Sequence, residues 1–145
     1  MSQSVDDVLR SASLYSDGQR YRILKLPPNA ITLAAGLVAE IGRPFCAFIV
    51  DKDEVSVIIP AGAVAAFDTR LRAASVSDET YRLITLEAVL DPHLVGLLAR
   101  IADALATAGI PILTFAAYSR DHIFVPQDHF DKAILALQTL QGQRA

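Results

Sequence analysis

The chain has 145 residues, 52% of them apolar, and thirteen basic against sixteen acidic side chains give a formal charge of −3. That balance allows a substantial core and excludes a disordered polyelectrolyte as well as a strongly basic nucleic-acid binder. The single cysteine, Cys46, excludes an intrachain disulfide and a cysteine-only metal site.

Met1 to Gln19 reads as a mobile or weakly helical lead-in, closed by a turn at Ser16, Asp17 and Gly18. Tyr21 to Leu26 is predicted as a strand that Pro27 and Pro28 stop. Ile31 to Ile41 places Leu33, Leu37 and Ile41 on one stripe of a short, largely buried helix, ended by Gly42 and Pro44. Phe45 to Val50 is expected as a buried strand, and Asp51 to Asp53 as a polar turn. Glu54 to Ile59 returns as the second arm of an antiparallel hairpin. A helix is predicted over Ala63 to Ala73, with Val64, Phe67 and Leu71 inward and Arg70 and Arg72 near its negative pole. Ser75 to Glu79 is polar and is expected as a boundary.

Tyr81 to Leu90 is predicted as a long strand. Asp91 is read as an N-cap and Pro92 as the first residue of a helix that runs to about Ala108 and stops at Gly109. Pro111 to Tyr118 and His122 to Val125 are strands around a tight turn, Ser119 to Asp121. Asp128 is read as the cap of a last helix with Phe130, Ile134, Leu137 and Leu140 inward, and Gly142 to Ala145 as a tail.

Both halves therefore read strand, helix, strand, strand, helix. The expected fold class is α+β: two ferredoxin-like βαββα units with antiparallel sheets and helices packed on one face, over residues 20–77 and 78–145, after a lead-in of residues 1–19. A single α+β domain without internal symmetry is the other reading of the same string. No apolar run reaches the roughly 20 residues of a membrane span. The acidic, hydroxyl-rich N-terminus has no signal-peptide pattern, so a cytoplasmic protein is expected, with no membrane partner. The aromatics include no run interleaved with basic residues, so no nucleic-acid partner is expected either.

No phosphate-binding glycine loop, nucleophile elbow or zinc-protease motif is present, so the chain is read as no enzyme. No cofactor is expected, and no metal, since His93, His122 and His129 fall at no ligand spacing. His93 and His122 read as surface or edge residues, and His129 as solvent-facing. Asp91 at a helix start is a cap on physical grounds, but its carboxylate can also receive an ammonium, while first-turn N–H groups suit a carboxylate. Asp121 and Arg120 read as a solvated turn with a local ion pair, or as ligand contacts. Glu54 and Ser56, two apart, share a strand face, either open to solvent or at the mouth of a pocket between the halves. Gly96 reads as a first-turn helical glycine that permits close approach of a ligand or of a packed backbone. Cys46 reads as a buried small hydrophobe.

The run Leu94-Val95-Gly96-Leu97-Leu98-Ala99-Arg100-Ile101-Ala102, followed by Leu105-Ala106-Thr107-Ala108-Gly109-Ile110, resembles the first helix and second strand of an ACT domain. Tyr118-Ser119-Arg120-Asp121-His122-Ile123-Phe124-Val125 resembles the hairpin "Tyr-x-Thr-Asp-Tyr-Ile-Leu-Val" of CASTOR-type ACT proteins, and Glu54-Val55-Ser56-Val57-Ile58 their "Glu-x-Ser-Val-Val" strand. The resemblance covers Tyr21 to Leu140 and is strongest from Leu83 to Val125. It implies a tandem ACT pair: a non-catalytic sensor or regulatory module that binds a small molecule, usually an amino acid, between units. The loop implied to hold the ligand is Asp91, Pro92, His93, Leu94, Val95 and Gly96, with Asp121 of the hairpin; Glu54 and Ser56 join them as ligand-binding candidates on their shared strand face. The chain departs from the pattern at Ala116 and Ala117, where the family has Ser-Thr, at Arg120 for Thr, and at His122 for Tyr. Hydroxyl donors are lost and a cation is gained. That leaves open an amino acid, an anionic or bulkier ligand, or a protein-interaction module with no small ligand. A homodimer is expected because open ferredoxin-like sheets leave edges for a partner to cover.

Overall fold

Val8 and Leu9 are 2% exposed, so the lead-in is no loose arm. The computed structural model describes residues 3–142; Met1 and Ser2 of the expected lead-in, and Gln143, Arg144 and Ala145 of the expected tail, lie outside the described residues. The elements run α1 (Val5–Ser11), β1 (Ser13–Tyr15), β2 (Tyr21–Leu26), α2 (Ile31–Ile41), β3 (Ala47–Val50), β4 (Val55–Pro60), α3 (Ala61–Ala66) and β5 (Ser75–Val76). They continue with β6 (Tyr81–Glu87), α4 (Leu97–Thr107), β7 (Leu113–Ala116), β8 (Asp121–Pro126) and, after a 3-10 turn at Gln127–His129, α5 (Phe130–Leu140). The fold is α+β. The chain divides into two compact units: a central one, Gln19–Tyr81, and a split one made by the described residues of Met1–Gly18 and Arg82–Ala145.

In the central unit β2 pairs antiparallel with β4, and β4 with β3, so β3 is an edge. The β3–β4 turn is closed by Asp51, whose Oδ1 accepts from the N–H groups of Asp53 (2.7 Å) and Glu54 (2.9 Å). Those two bonds favour the carboxylate and lower its pKa. Leu24, Leu26, Val55, Val57 and Ile59 of the sheet meet Ala34 and Leu37 of α2 in one core. The expected buried strand from Phe45 is instead four residues long with Phe48, Ile49 and Val50 36–48% exposed, because it pairs on one side only. The helix expected over Ala63 to Ala73 ends at Ala66. Beyond it Arg70 N–H bonds Phe67 O and Ala74 N–H bonds Leu71 O, three-residue turns that still carry Phe67 and Leu71 to the core. Arg70 does not serve a helix terminus: its guanidinium pairs with Glu40 at 2.6 Å and lies 5.3 Å from the Phe67 ring centre. The expected boundary at Ser75 to Glu79 is partly ordered as β5, paired to β2 at Leu24 and Lys25.

In the split unit β1 pairs antiparallel with the end of β6, β6 neighbours β8, and β7 pairs antiparallel with β8. Helices α1, α4 and α5 supply Val8, Leu9, Ile101, Leu105, Ala133 and Leu137 to a core with Ile84, Leu86, Ile123 and Val125. The apolar stripe of α1 is what makes a seven-residue helix persist: isolated, it would be too short. Ser4 caps it by accepting from Asp7 N–H, and Asp6 binds Arg100 of α4 at 3.1 Å. Gln141, 6% exposed, donates from Nε2 to Leu9 O at 3.0 Å and Ala12 O at 2.6 Å, and so joins the end of α5 to the end of α1.

Two helix starts differ from expectation. The strand from Tyr81 ends at Glu87, and α4 begins at Leu97, well after Pro92, which was expected to open it. Gly96, at φ 98°, is the N-cap; a residue with that φ cannot lie inside a right-handed helix. Asp128 lies in the 3-10 turn, and α5 starts after His129 with no side-chain cap bond. The stop at Gly109 is as expected: at φ 75° it donates to Ala106 O, while Ile110 N–H returns to Leu105 O.

His122 is neither fully exposed nor on an edge strand, since β8 lies between β6 and β7. It is half-buried in β8, with Nδ1 2.8 Å from the buried Thr85 hydroxyl of β6. Burial is the first cause that pushes its pKa below the ordinary 6.5; Asp121 and Glu87 oppose that shift and Arg120 adds to it. The unfolded chain therefore takes up its proton first as pH falls. The favourable contribution is full above about pH 6.5, and is lost as pH falls from there through the folded value. Denaturant unfolding at pH 7.5 and 5.5 is expected to show a fall in midpoint that is smaller in His122→Asn than in the parent chain. Gln141→Leu leaves two buried carbonyls without donors and is expected to destabilise by about 1–3 kcal/mol, read as a lower midpoint in the same experiment.

Candidate functional site

A groove of about 430 Å³ opens in the split unit. Three segments form it: the loop between β6 and α4 (Leu90, Asp91, Pro92, Leu94, Gly96), the first turn of α4 (Leu97, Leu98, Ala99), and the β7–β8 hairpin from Ala116 to Asp121. The loop is tied on both sides. Leu90 N–H donates to Ser119 O of the hairpin at 2.8 Å. The Gln3 side-chain amide reaches it from the N-terminal segment, donating to Val89 O at 3.0 Å and accepting from Asp91 N–H at 2.8 Å. Asp91 caps a turn within the loop: Oδ1 accepts from His93 N–H at 2.8 Å and its carbonyl from Leu94 N–H at 3.0 Å. The expected helix cap is thus a loop cap.

The start of α4 carries no side-chain cap and no acidic residue in its first turn. The first N–H groups of any α-helix lack intrahelical acceptors and lie at its positive end. Here they belong to residues lining the groove. The hairpin adds both signs of charge. Asp121 begins β8 opposite Ala116, partly buried. Arg120 stands with Nε 3.5 Å from Glu87 Oε2, and that Nε is buried without a hydrogen bond. Small Ala116 and Ala117 keep the floor open, and Tyr118, 97% exposed, stands at its edge.

Of the residues expected to bind ligand, Asp91, Leu94, Gly96 and Asp121 line this groove. His93 and Val95 do not line it; both are exposed, Val95 at 86%. Glu54 and Ser56 lie in the central unit and do not line it either. Glu54 precedes β4 and approaches Lys25 at 3.6 Å, and Ser56 pairs with Lys25 and Ile49. Gly96 lines it as the N-cap, not as a residue of the helical turn. Sequence reasoning missed Gln3, for which a lone polar residue in a lead-in gives no signal, and the backbone of Leu97 to Ala99, hidden by placing the helix start too early. Among the described residues no cluster of three or more His, Cys, Asp or Glu could hold a metal ion. No helix among them is long and apolar enough to cross a membrane.

The chain is similar to known proteins in fold. A family model described as "ACT domain" matches residues 76–139, a stretch that holds every lining residue of the groove. A Vibrio cholerae protein of unknown function, described as a possible transport protein, is 25% identical, with a TM-score of 0.74 over 95% of this chain and 96% of its own. An Agrobacterium tumefaciens protein, 19% identical, has a TM-score of 0.70 over 90% of this chain and 89% of its own. The ligand-free regulatory subunit of aspartate kinase from Thermus thermophilus, 15% identical, has a TM-score of 0.67 over 91% of this chain and 98% of its own. The groove-bearing stretch is thus similar to an ACT domain, and about nine-tenths of the chain shares its fold with a kinase's regulatory subunit.

Proposed function

We propose that the chain is a non-catalytic regulatory module that binds a free amino acid in the groove of the split unit. The observation that carries this reading is the uncapped start of α4 opening onto a groove that Asp121 also lines. An amino acid carries a carboxylate and an ammonium on one carbon. The first-turn N–H groups suit the carboxylate and Asp121 suits the ammonium. The ACT-domain match and the likeness to a regulatory subunit support the same class. The finer reading is a tandem ACT pair of the CASTOR type, one unit over residues 20–77 and one over 78–145, acting as a cytoplasmic homodimer. The repeated strand–helix–strand–strand–helix order and the open edges at β3 and β7 support it. Regulation is by linkage: ligand shifts the population only as far as it binds one state better than the other.

A second reading, a protein-interaction module without a small ligand, is favoured by the exposed Val95 and Tyr118 beside the groove. One experiment separates the two: thermal unfolding of the whole chain against the twenty amino acids. A ligand at a hundredfold excess over its dissociation constant adds about 2.7 kcal/mol to stability. A selective rise in midpoint that Asp121→Asn abolishes is the expected outcome. No rise with any amino acid, in protein shown by mass spectrometry to carry no co-purified ligand, favours the interaction module.

A further inference from the structure

We infer that the groove selects an acidic, dicarboxylic amino acid, with Arg120 as the residue that reads the second carboxylate. This rests on the amino-acid-binding reading above and names the ligand class within it.

The charges facing the groove point to that class. Two features attract anions, the open start of α4 and the Arg120 guanidinium; a free α-amino acid with a neutral side chain has only one carboxylate to offer them. Of the two lining carboxylates, Asp91 already spends Oδ1 on His93 N–H, whereas Asp121 is the partner left for an ammonium. A molecule with two carboxylates and one ammonium matches that set; a basic amino acid would bring a second cation toward Arg120. The guanidinium is also incompletely used. Its buried Nε makes no hydrogen bond, and Glu87 faces it at 3.5 Å, too long for a well-made charged hydrogen bond. That nitrogen is closed to the groove, but the side chain is 40% exposed, so a ligand carboxylate can reach the rest of the guanidinium. Ala116 and Ala117 offer no hydroxyl to a neutral polar side chain, so charge is what remains for discrimination.

The test is calorimetric titration of the full chain with L-aspartate and L-glutamate against their amide isosteres, L-asparagine and L-glutamine. The acids are expected to bind at least about tenfold more tightly than the amides. Arg120→Met is expected to lower the acids to the level of the amides. Glu87→Gln, which removes the competing carboxylate, is expected to tighten the acids and leave the amides where they were. Equal binding of acid and amide by the parent chain overturns the inference, as does a preference that survives in Arg120→Met. If Arg120→Met does not fold, an unaltered preference in Glu87→Gln overturns it. Binding of neutral or basic amino acids alone overturns this inference and leaves the amino-acid-binding reading standing; binding of no amino acid overturns both.

Discussion

The position of α4 depends on one backbone angle. At φ 98° Gly96 turns the chain out of the loop and into the helix, a conformation that costs an L side chain roughly 1–2 kcal/mol. Nothing lies within 4 Å of where a Cβ would stand, so the constraint is torsional and not steric crowding by neighbours. Because the angle is met at Gly96 and not earlier, Asp91 to Val95 remain a loop, of which Asp91, Pro92 and Leu94 line the groove together with the first residues of α4. A helix begun at Pro92 would have filled that space with its own first turns.

The loop holds its shape by bonds from two directions. Ser119 anchors Leu90 from the hairpin, and Gln3 anchors Val89 and Asp91 from the opposite end of the sequence. Gln3 can do so because α1 is seated in the split unit's core by Val8 and Leu9 and held there by Gln141 and the Arg100–Asp6 pair. The N-terminal segment is therefore part of the site's support, although it is distant from the groove in sequence and contributes no lining side chain.

Charge in and around the groove is arranged without deep burial. Arg120, Glu87 and Asp121 all bear on His122, which answers chiefly to its own burial and its bond to Thr85. The exposed ion pairs elsewhere, such as Lys52–Asp53 and Arg10–Asp7, add little to stability because solvent screens them. Arg120 differs in lining the groove: its side chain is 40% exposed and Glu87 approaches its Nε only to 3.5 Å.

Much was legible in the chain. Period and punctuation located β2 and α2 to the residue, α4's end at Gly109, and the inward stripe of α5, since each depends on local spacing and on glycine or proline. Asp91, Leu94, Gly96 and Asp121 were legible as groove residues through the family pattern. What the tertiary structure alone decided were features that depend on partners far away in sequence. α1 is ordered because a core exists to receive it, and β3 is exposed because it ends a sheet. Asp91 caps a loop because Gln3 and Ser119 hold that loop in place. Local sequence carries the propensity of a segment. Whether a face is buried, or a carboxylate already spent, is settled only when the chain brings its neighbours together.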